Sequence, residues 1–220
     1  TEEEIAEKTD FCSFVYSNDK GNPARVQFFD LLSQYKQVNA GGKLRNNIGQ
    51  PEGVKDKLAF QTRHKFAIAF ENSSHPGYTT EKLIEAFAAK TVPIYWGDPW
   101  VDRGFNEEAF INCHRYDSFA DVVEAVKRVD QDPELYRRML RTPALKSREY
   151  SQKYTYEQLE KFLRNIFDQP LEQAYRRNRE LWGKYYYERR LNQREYERIG
   201  NKLKKLVPRS VIQRLKKGGR

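Results

Sequence analysis

The stretch that decides the fold is residues 65–97, which read KFAIAFENSSHPGYTTEKLIEAFAAKTVPIYWG. A run of apolar, aromatic and small residues at 65–71 predicts a buried strand, and a second such run at 92–96 predicts another. Between them lie a loop with proline and glycine and a helix that Thr79 or Thr80 can cap. The predicted buried stripe of that helix is Leu83, Ile84, Phe87 and Ala88. Strand, loop, helix and strand of this length fit one right-handed βαβ crossover.

The same alternation extends to both sides of this stretch. Strands are predicted at 11–17 and 38–40, and helices from Pro23 onward, over 117–129 and over 133–140. The repetition predicts an α/β fold, a Rossmann-like parallel sheet with helices on both faces. The composition changes after Phe167. We therefore expect a Rossmann-like domain over 1–168 and a basic, aromatic-rich helical C-terminal tail over 169–220.

The positive charge belongs to that tail. Residues 171–220 contain 16 basic and 5 acidic residues, a net charge of +11, whereas the 24 basic and 26 acidic residues of 1–170 give −2. A domain that binds nucleic acid would carry its basic patch on the folded body. The distribution therefore argues against a nucleic-acid partner.

Several classes of protein are disfavoured by what the sequence lacks. No apolar run approaches the roughly 20 residues that cross a bilayer, and no signal peptide is visible. The chain begins with threonine, so we expect it to be processed, trimmed or part of a longer protein. Cys12 and Cys113 lie far apart, which favours reduced thiols over a disulfide framework. The three histidines show no metal-ligand spacing, so no metal site is expected.

The loop between the two strands has the chemistry of a nucleotide-sugar pocket. Glu71 and Asn72 follow the first strand and Asp98 follows the second, where ligands bind in parallel sheets. Tyr78 offers a stacking face and a hydroxyl. The helix start directs unpaired N–H groups at the loop, which suits a phosphate, and Lys82 in the first turn is unfavourable for the helix dipole unless an anion binds there.

Each of these residues also has an ordinary structural explanation. Glu81 and Lys82 suit a solvated helix start, and Tyr78 suits packing. Residues 72–74 match a glycosylation sequon, although a strand end that faces a crevice is a poor acceptor. The alternatives stay open for each residue taken singly.

Taken together, segments 66–73, 77–82 and 92–97 closely resemble the signature of the α-1,3/4-fucosyltransferases, glycosyltransferase family 10. Further landmarks in family order are Phe11–Val15, Arg25, Gly41–Gly42, Asn46–Asn47, Gly49 and Phe110–Asn112. The resemblance covers about residues 10–165. It implies inverting transfer of fucose from GDP-fucose to a glycan that contains N-acetylglucosamine, such as N-acetyllactosamine. It also implies a GT-B fold of two facing Rossmann-like domains, of which this chain is similar to the C-terminal, donor-binding one.

The resemblance implies five donor-binding residues: Arg25, Asn72, Tyr78, Glu81 and Lys82. Two of them are cations that meet the diphosphate and stabilise the leaving group, the work that a metal does in other transferases. The amide and the phenol contact phosphate, ribose or guanine, and the carboxylate holds a sugar hydroxyl. No cofactor is therefore expected to be required, and manganese stimulation stays open.

Two further carboxylates, Glu71 and Asp98, are weaker candidates for donor contacts. A carboxylate beside a diphosphate needs a compensating donor. Members of the family also differ at the position of Asp98.

The general base is not expected in this chain. An inverting displacement needs a group that removes the proton of the acceptor hydroxyl. The family supplies it from an N-terminal domain, whereas only ten residues precede the strand at Phe11. Glu2, Glu3 and Glu4 form an acidic helix start rather than a catalytic group. We expect a chain that binds GDP-fucose and turns it over weakly or not at all.

The tail admits two interpretations. Aliphatic residues mixed with cations over 202–217 are typical of a segment that lies on an anionic membrane surface. A solvated helix that packs against another domain fits as well. The expected localisation is cytoplasmic, with a peripheral contact to the inner face of a bacterial membrane through residues 171–220. Two other functions remain open: another GT-B nucleotide-sugar transferase, and a basic membrane- or RNA-binding adaptor.

Overall fold

The computed structural model describes residues 2–147, 156–170 and 189–199. It divides into two compact units, Thr1–Lys153 and Tyr154–Arg220. The helices of the first unit are α1 (Glu2–Ala6), α2 (Ala24–Leu32), α3 (Lys57–Thr62), α4 (Glu81–Ala88), α5 (Phe119–Gln131) and α6 (Pro133–Arg141). Its strands are β1 (Asp10–Phe14), β2 (Val38–Ala40), β3 (His64–Phe70), β4 (Val92–Trp96) and β5 (Ile111–Asn112).

The five strands form one parallel sheet in the order β2-β1-β3-β4-β5. This confirms the predicted parallel α/β fold. From β1 the chain adds β2 on one side, and it then returns to add β3, β4 and β5 on the other. Such a reversal leaves a crevice outside the carboxyl ends of the two strands where it occurs, which here are β1 and β3.

The side chains of β3 show how the two faces are covered. Phe66, Ile68 and Phe70 point into a core that includes side chains of α2, α5 and α6. Ala67 and Ala69 belong to a second core with side chains of α4. Alternate residues of a strand point to opposite faces, so the helices lie on both faces of the sheet. The apolar run predicted from sequence is continuous because β3 is buried on both sides.

The predicted buried stripe of α4 is wrong in part. Leu83 is buried, but Ile84 is 57% exposed and Ala88 is exposed as well. The side that faces the sheet is set by Leu83, Ala86 and Ala89. Alanine side chains let the helix pack closely against the strands. The helix is therefore rotated relative to the prediction, and the bulkier Ile84 points outward.

Other differences concern short elements and strand ends. The strand predicted over 11–17 ends at Phe14, three residues early. Helix α3 and the two-residue strand β5 were not predicted. Both are too short to show a hydrophobic period.

The core also contains a buried histidine and two buried thiols. His64 Nδ1 lies 2.8 Å from the carbonyl of Phe60, and its Nε2 lies 3.1 Å from the side-chain nitrogen of Asn39. The imidazole therefore donates at Nδ1 and accepts at Nε2, which requires the neutral form, and burial lowers its pKa. Cys12 and Cys113 are free and buried.

In the second unit the structure describes α7 (Tyr156–Phe167) and a helical segment at 189–199. The apolar side chains Leu159, Phe162 and Leu163 of α7 are exposed. No helix in the described part of the chain is long and apolar enough to span a bilayer. Much of the predicted tail, residues 171–188 and 200–220, lies outside the described residues, including the segment 202–217.

Candidate functional site

The predicted site lies at the crevice between β1 and β3. The loop after β1 contacts the loop after β3 where the backbone N–H of Asn22 donates to the carbonyl of Asn72, at 2.9 Å. Arg25, in the first turn of α2, donates from Nη1 to Oδ1 of Asn72, at 3.0 Å. Two residues predicted to act together are therefore in direct contact, although they are 47 positions apart in sequence.

The guanidinium of Arg25 is almost completely buried, at 2% exposure. Its Nη2 donates to the carbonyl of Asn18 at 3.1 Å, and the group lies over the ring of Tyr16 at 5.0 Å. Its Nε has no hydrogen-bond partner. Within the described residues no carboxylate forms an ion pair with it, so the positive charge is buried without a counter-charge.

Gly21 covers this guanidinium. A Cβ built at Gly21 would lie 1.4 Å from Nη2 of Arg25, so any other residue there requires movement of the loop or of the Arg25 side chain. The sequence did not reveal this contact, because glycine in a polar loop is ordinary turn chemistry.

Lys82 lies at the start of α4 among oxygen atoms. Its Nζ is 3.1 Å from Oε2 of Glu71, 3.1 Å from Oε1 of Glu81 and 2.8 Å from Oγ1 of Thr80. Burial lowers the pKa of Lys82, but the two carboxylates outweigh burial and raise it above its usual range. The ammonium is therefore firmly charged at neutral pH.

Glu71 is fully buried and fully engaged. Its carboxylate accepts from the backbone N–H of Thr80 at 2.8 Å and from the Thr80 hydroxyl at 2.7 Å, in addition to Lys82. The compensating donors that a carboxylate needs in such a place are thus present. Glu81 is mostly exposed and contacts Lys82, and its pKa is lowered because the contact with Lys82 outweighs burial, which acts in the opposite direction.

Asp98 is the second buried carboxylate of this region. It accepts from the backbone N–H of Gly77 at 2.8 Å, from the hydroxyl of Thr79 at 3.1 Å and from the backbone N–H of Trp100 at 2.8 Å. The phenol of Tyr95, whose pKa burial raises to about 12, lies within hydrogen-bond distance of Thr79 and of the Asp98 amide.

The remaining predicted residues are open to solvent. Asn72 is exposed and Tyr78 is half-buried. The hydroxyl of Thr80, the N-cap residue of α4, makes no capping hydrogen bond: it donates to Glu71 and accepts from Nζ of Lys82. The carboxylates of Glu71 and Glu81 lie at this positive end of the helix dipole, where Glu71 accepts from the Thr80 amide.

His114 is a neighbour of the site that the sequence did not single out. Its Nε2 lies 3.3 Å from the N–H of Gly97, and its ring stacks on Trp96 at 6.3 Å. Burial lowers its pKa. In the described residues no group of three His, Cys, Asp or Glu side chains could hold a metal ion.

A parallel sheet with two cations at the crevice of its reversal point defines an α/β domain with a candidate anion-binding site. The family that this domain belongs to follows from comparison. Residues 5–179 match the family model described as glycosyltransferase family 10 (fucosyltransferase) C-term. The chain belongs to glycosyltransferase family 10, as its sequence motifs predicted.

Individual relatives agree with this assignment. The chain is 39% identical to the α-(1,3)-fucosyltransferase FucT of Helicobacter pylori over 133 residues, 60% of this chain and 27% of that protein. It is 32% identical to a putative fucosyltransferase of Acanthamoeba polyphaga mimivirus over 182 residues, 78% of this chain and 30% of that protein. The chain therefore spans about a third of these relatives or less.

Solved structures give the same fold. An α1,3-fucosyltransferase determined with GDP-fucose superposes with a TM-score of 0.67 at 34% identity, covering 74% of this chain and 48% of the other. An α1,3-fucosyltransferase determined with GDP gives 0.70 at 33% identity, covering 78% and 50%. The chain matches about half of each enzyme, in the α/β, GT-B-like architecture that was predicted.

Proposed function

We propose that this chain is the donor-binding half of an inverting α-1,3-type fucosyltransferase that transfers fucose from GDP-fucose to glycans containing N-acetylglucosamine, such as N-acetyllactosamine. The observation that carries the proposal is the pair of cations at the β1/β3 crevice. Arg25 bonds to Asn72 and Lys82 bonds to Glu71, the preceding residue, so both cations lie beside the end of β3, where we place the diphosphate. Similarity to enzymes determined with GDP-fucose and with GDP supports the choice of donor.

Arg25 is the stronger argument for an anionic ligand. Burying a cation without a counter-charge costs several kcal/mol by general estimates, and such groups are rarely kept without a use. A diphosphate supplies the missing charge and an acceptor for the unpartnered Nε. The start of α4 adds backbone N–H groups at the same carboxyl edge of the sheet.

The proposed chemistry assigns the cations to the leaving group. When the bond between the fucose carbon and the diphosphate breaks, negative charge grows on the phosphate oxygen that departs. Arg25 and Lys82 stabilise that charge more in the transition state than in the ground state, which lowers the barrier. Two cations can do this without a metal, so we propose that no metal is required. Tyr78 contacts the nucleotide, and Glu81 holds a sugar hydroxyl.

We propose that the general base lies outside this chain. Glu71 accepts from Lys82 and from the amide and hydroxyl of Thr80, and Asp98 accepts from two amides and a hydroxyl, so both carboxylates are already engaged within the protein. Glu2 forms ion pairs with Arg137 and Arg141 of α6 instead. The isolated chain then binds the donor but transfers fucose weakly or not at all.

Calorimetric titration tests the donor assignment. We expect binding of GDP-fucose and GDP, weaker binding of UDP-galactose, and no binding of a short RNA, while GDP-mannose reports how far the fucose itself contributes. Lys82→Ala should weaken nucleotide binding about thirtyfold, the loss of one charge-assisted contact. Lys57→Ala is a matched control, because Lys57 also pairs with a glutamate on α4, namely Glu85. Equal affinity for UDP-galactose would favour another GT-B transferase, and RNA binding would favour the adaptor.

A transfer assay tests whether this chain lacks the general base. The 220-residue chain is incubated with GDP-fucose and N-acetyllactosamine, and fucosylated product is measured. Robust turnover would show that the chain contains its own base and overturn the proposal on that point.

We also propose that residues 1–168 are the donor-binding domain and that the tail, 169–220, makes a peripheral contact with an anionic membrane in the cytoplasm. The net charge of +11 over 171–220 supports the contact, since each basic residue near an anionic surface contributes about 1 kcal/mol. Binding to vesicles of phosphatidylglycerol but not of phosphatidylcholine, lost on truncation after Pro170, is the expected result. Equal behaviour of the truncated chain would contradict it.

A further inference from the structure

Asp98 makes one of the densest sets of polar contacts near the crevice. Its Oδ1 accepts from the backbone N–H groups of Gly77 and Trp100, both at 2.8 Å, and its Oδ2 accepts from the hydroxyl of Thr79 at 3.1 Å. The residue is 5% exposed. One carboxylate thus ties the loop after β3 to the turn after β4.

These contacts fall on both sides of Tyr78. Gly77 precedes Tyr78 and Thr79 follows it, and the Tyr78 amide donates only locally, to the carbonyl of His75 at 3.1 Å. Gly77 has φ of +77°, a backbone conformation that most residues avoid. Asp98 therefore holds the backbone of Gly77 and the side chain of Thr79, the two residues that flank Tyr78.

The charge of Asp98 is of no evident use to a bound nucleotide. A carboxylate close to a diphosphate repels it, and both oxygens of Asp98 already accept hydrogen bonds from the protein. The side chain instead holds three hydrogen-bond donors at fixed positions, namely the amides of Gly77 and Trp100 and the hydroxyl of Thr79.

We propose that Asp98 is a positioning residue for the donor site: it orders the 77–79 segment so that Tyr78 is in place for the nucleotide, and it does not touch the donor itself. The proposal rests on the proposed function in so far as Tyr78 contacts GDP. It replaces the view of Asp98 as a donor contact.

Substitution by asparagine separates geometry from charge. The amide oxygen of Asp98→Asn can still accept from Gly77 and Trp100, and its nitrogen can donate to the Thr79 hydroxyl. Asp98→Ala loses all three bonds. Asp102→Asn is the matched control, because Asp102 lies in the same turn but pairs with Arg115.

Titration of each variant with GDP gives the first readout. We expect Asp98→Asn and Asp102→Asn to bind GDP at least as tightly as the original chain. We expect Asp98→Ala to bind GDP about tenfold more weakly. In this variant about one residue of backbone must become ordered when GDP binds, and the entropy cost of that ordering corresponds to a factor of about ten. In a Tyr78→Ala background, Asp98→Ala should cost little more, because the residue it positions is gone.

Hydrogen exchange gives a readout that needs no ligand. In the free protein, Asp98→Ala should accelerate amide exchange at Gly77 and Trp100 at least tenfold relative to Asp102→Asn, with the exchange of β3 amides unchanged. Unchanged exchange at Gly77 would overturn the proposal whatever the protein binds.

The binding outcomes are equally decisive. If Asp98→Asn loses as much affinity as Asp98→Ala, the charge itself is used and Asp98 is a donor contact. If Asp98→Ala binds GDP normally, the segment is ordered without it. Absence of GDP binding by the original chain would refute the proposed function, while the exchange measurement would still decide the role of Asp98.

Discussion

Lys82 is predicted to do two things that mutation can separate: it neutralises Glu71 inside the protein and it binds the diphosphate. In Lys82→Ala, Glu71 keeps its two bonds to Thr80 but loses its cation, while its side chain stays fully buried. Breaking a buried pair on one side costs about 3–5 kcal/mol. Because Lys82 is 14% exposed and two hydrogen bonds remain, we expect about 2 kcal/mol of lost unfolding free energy.

The second variant, Glu71→Gln with Lys82→Ala, removes both charges. Glutamine can still accept from the Thr80 amide, so most of the lost stability should return. Affinity for GDP should not return, because a charge-assisted contact contributes about 2 kcal/mol, or about thirtyfold in Kd. Urea unfolding followed by tryptophan fluorescence measures the first effect and calorimetry measures the second.

Either of two outcomes would contradict these roles of Lys82. If the double variant recovers GDP affinity together with stability, Lys82 serves only to neutralise Glu71. If Lys82→Ala leaves the urea midpoint unchanged, the buried carboxylate does not depend on its cation. Lys57→Ala, which removes the lysine of α3 that pairs with Glu85 of α4, shows how much a lysine-to-alanine change costs at another ion pair.

Three further predictions concern the core. Burial lowers the pKa of His64, so its charged form is disfavoured in the folded protein. The free energy of unfolding should therefore be highest above about pH 6.5 and should fall below that pH by at most about 1.4 kcal/mol per pH unit. Urea titrations at several pH values measure this slope, which His64→Asn should reduce. Gly97→Ala places a Cβ 2.4 Å from Cγ of Glu71 and should destabilise by about 1–3 kcal/mol and weaken GDP binding; normal affinity would show that Glu71 tolerates displacement. Cys12 and Cys113, buried with raised pKa values, should react with a thiol reagent only after unfolding; rapid labelling of the native protein would contradict their burial.

The sheet was predictable because its central strands are buried on both faces. The predicted limits of β3 agree with the structure within one residue and those of β4 agree fully, since continuous apolar runs leave little ambiguity. Helix α3 has six residues, and strand β5 has two, so neither produces a period. The rotation of α4 was missed because Ile84 is more apolar than Ala86, whereas close approach to the sheet favours the smaller side chain.

The residues of the candidate site could be proposed from the sequence, but the bonds among them could not. Position at a strand end indicated Asn72, position in the first turn of a helix indicated Lys82, and the family resemblance indicated Arg25. Nothing in a sequence shows that Arg25 is buried beneath Gly21, because the contact depends on how a loop folds back over a side chain. The partners of Asp98 lie about twenty positions away on another loop and are equally invisible to spacing rules.

The burial of Arg25 has a kinetic consequence. The guanidinium that would meet a diphosphate has Gly21 against it and the carbonyl of Asn18 bonded to it. An incoming anion reaches it only after this loop has moved, so association has two steps, opening and then capture. The observed association rate should therefore rise with ligand concentration at first and level off at the rate at which the loop opens, a limit set by a few hydrogen bonds rather than by diffusion.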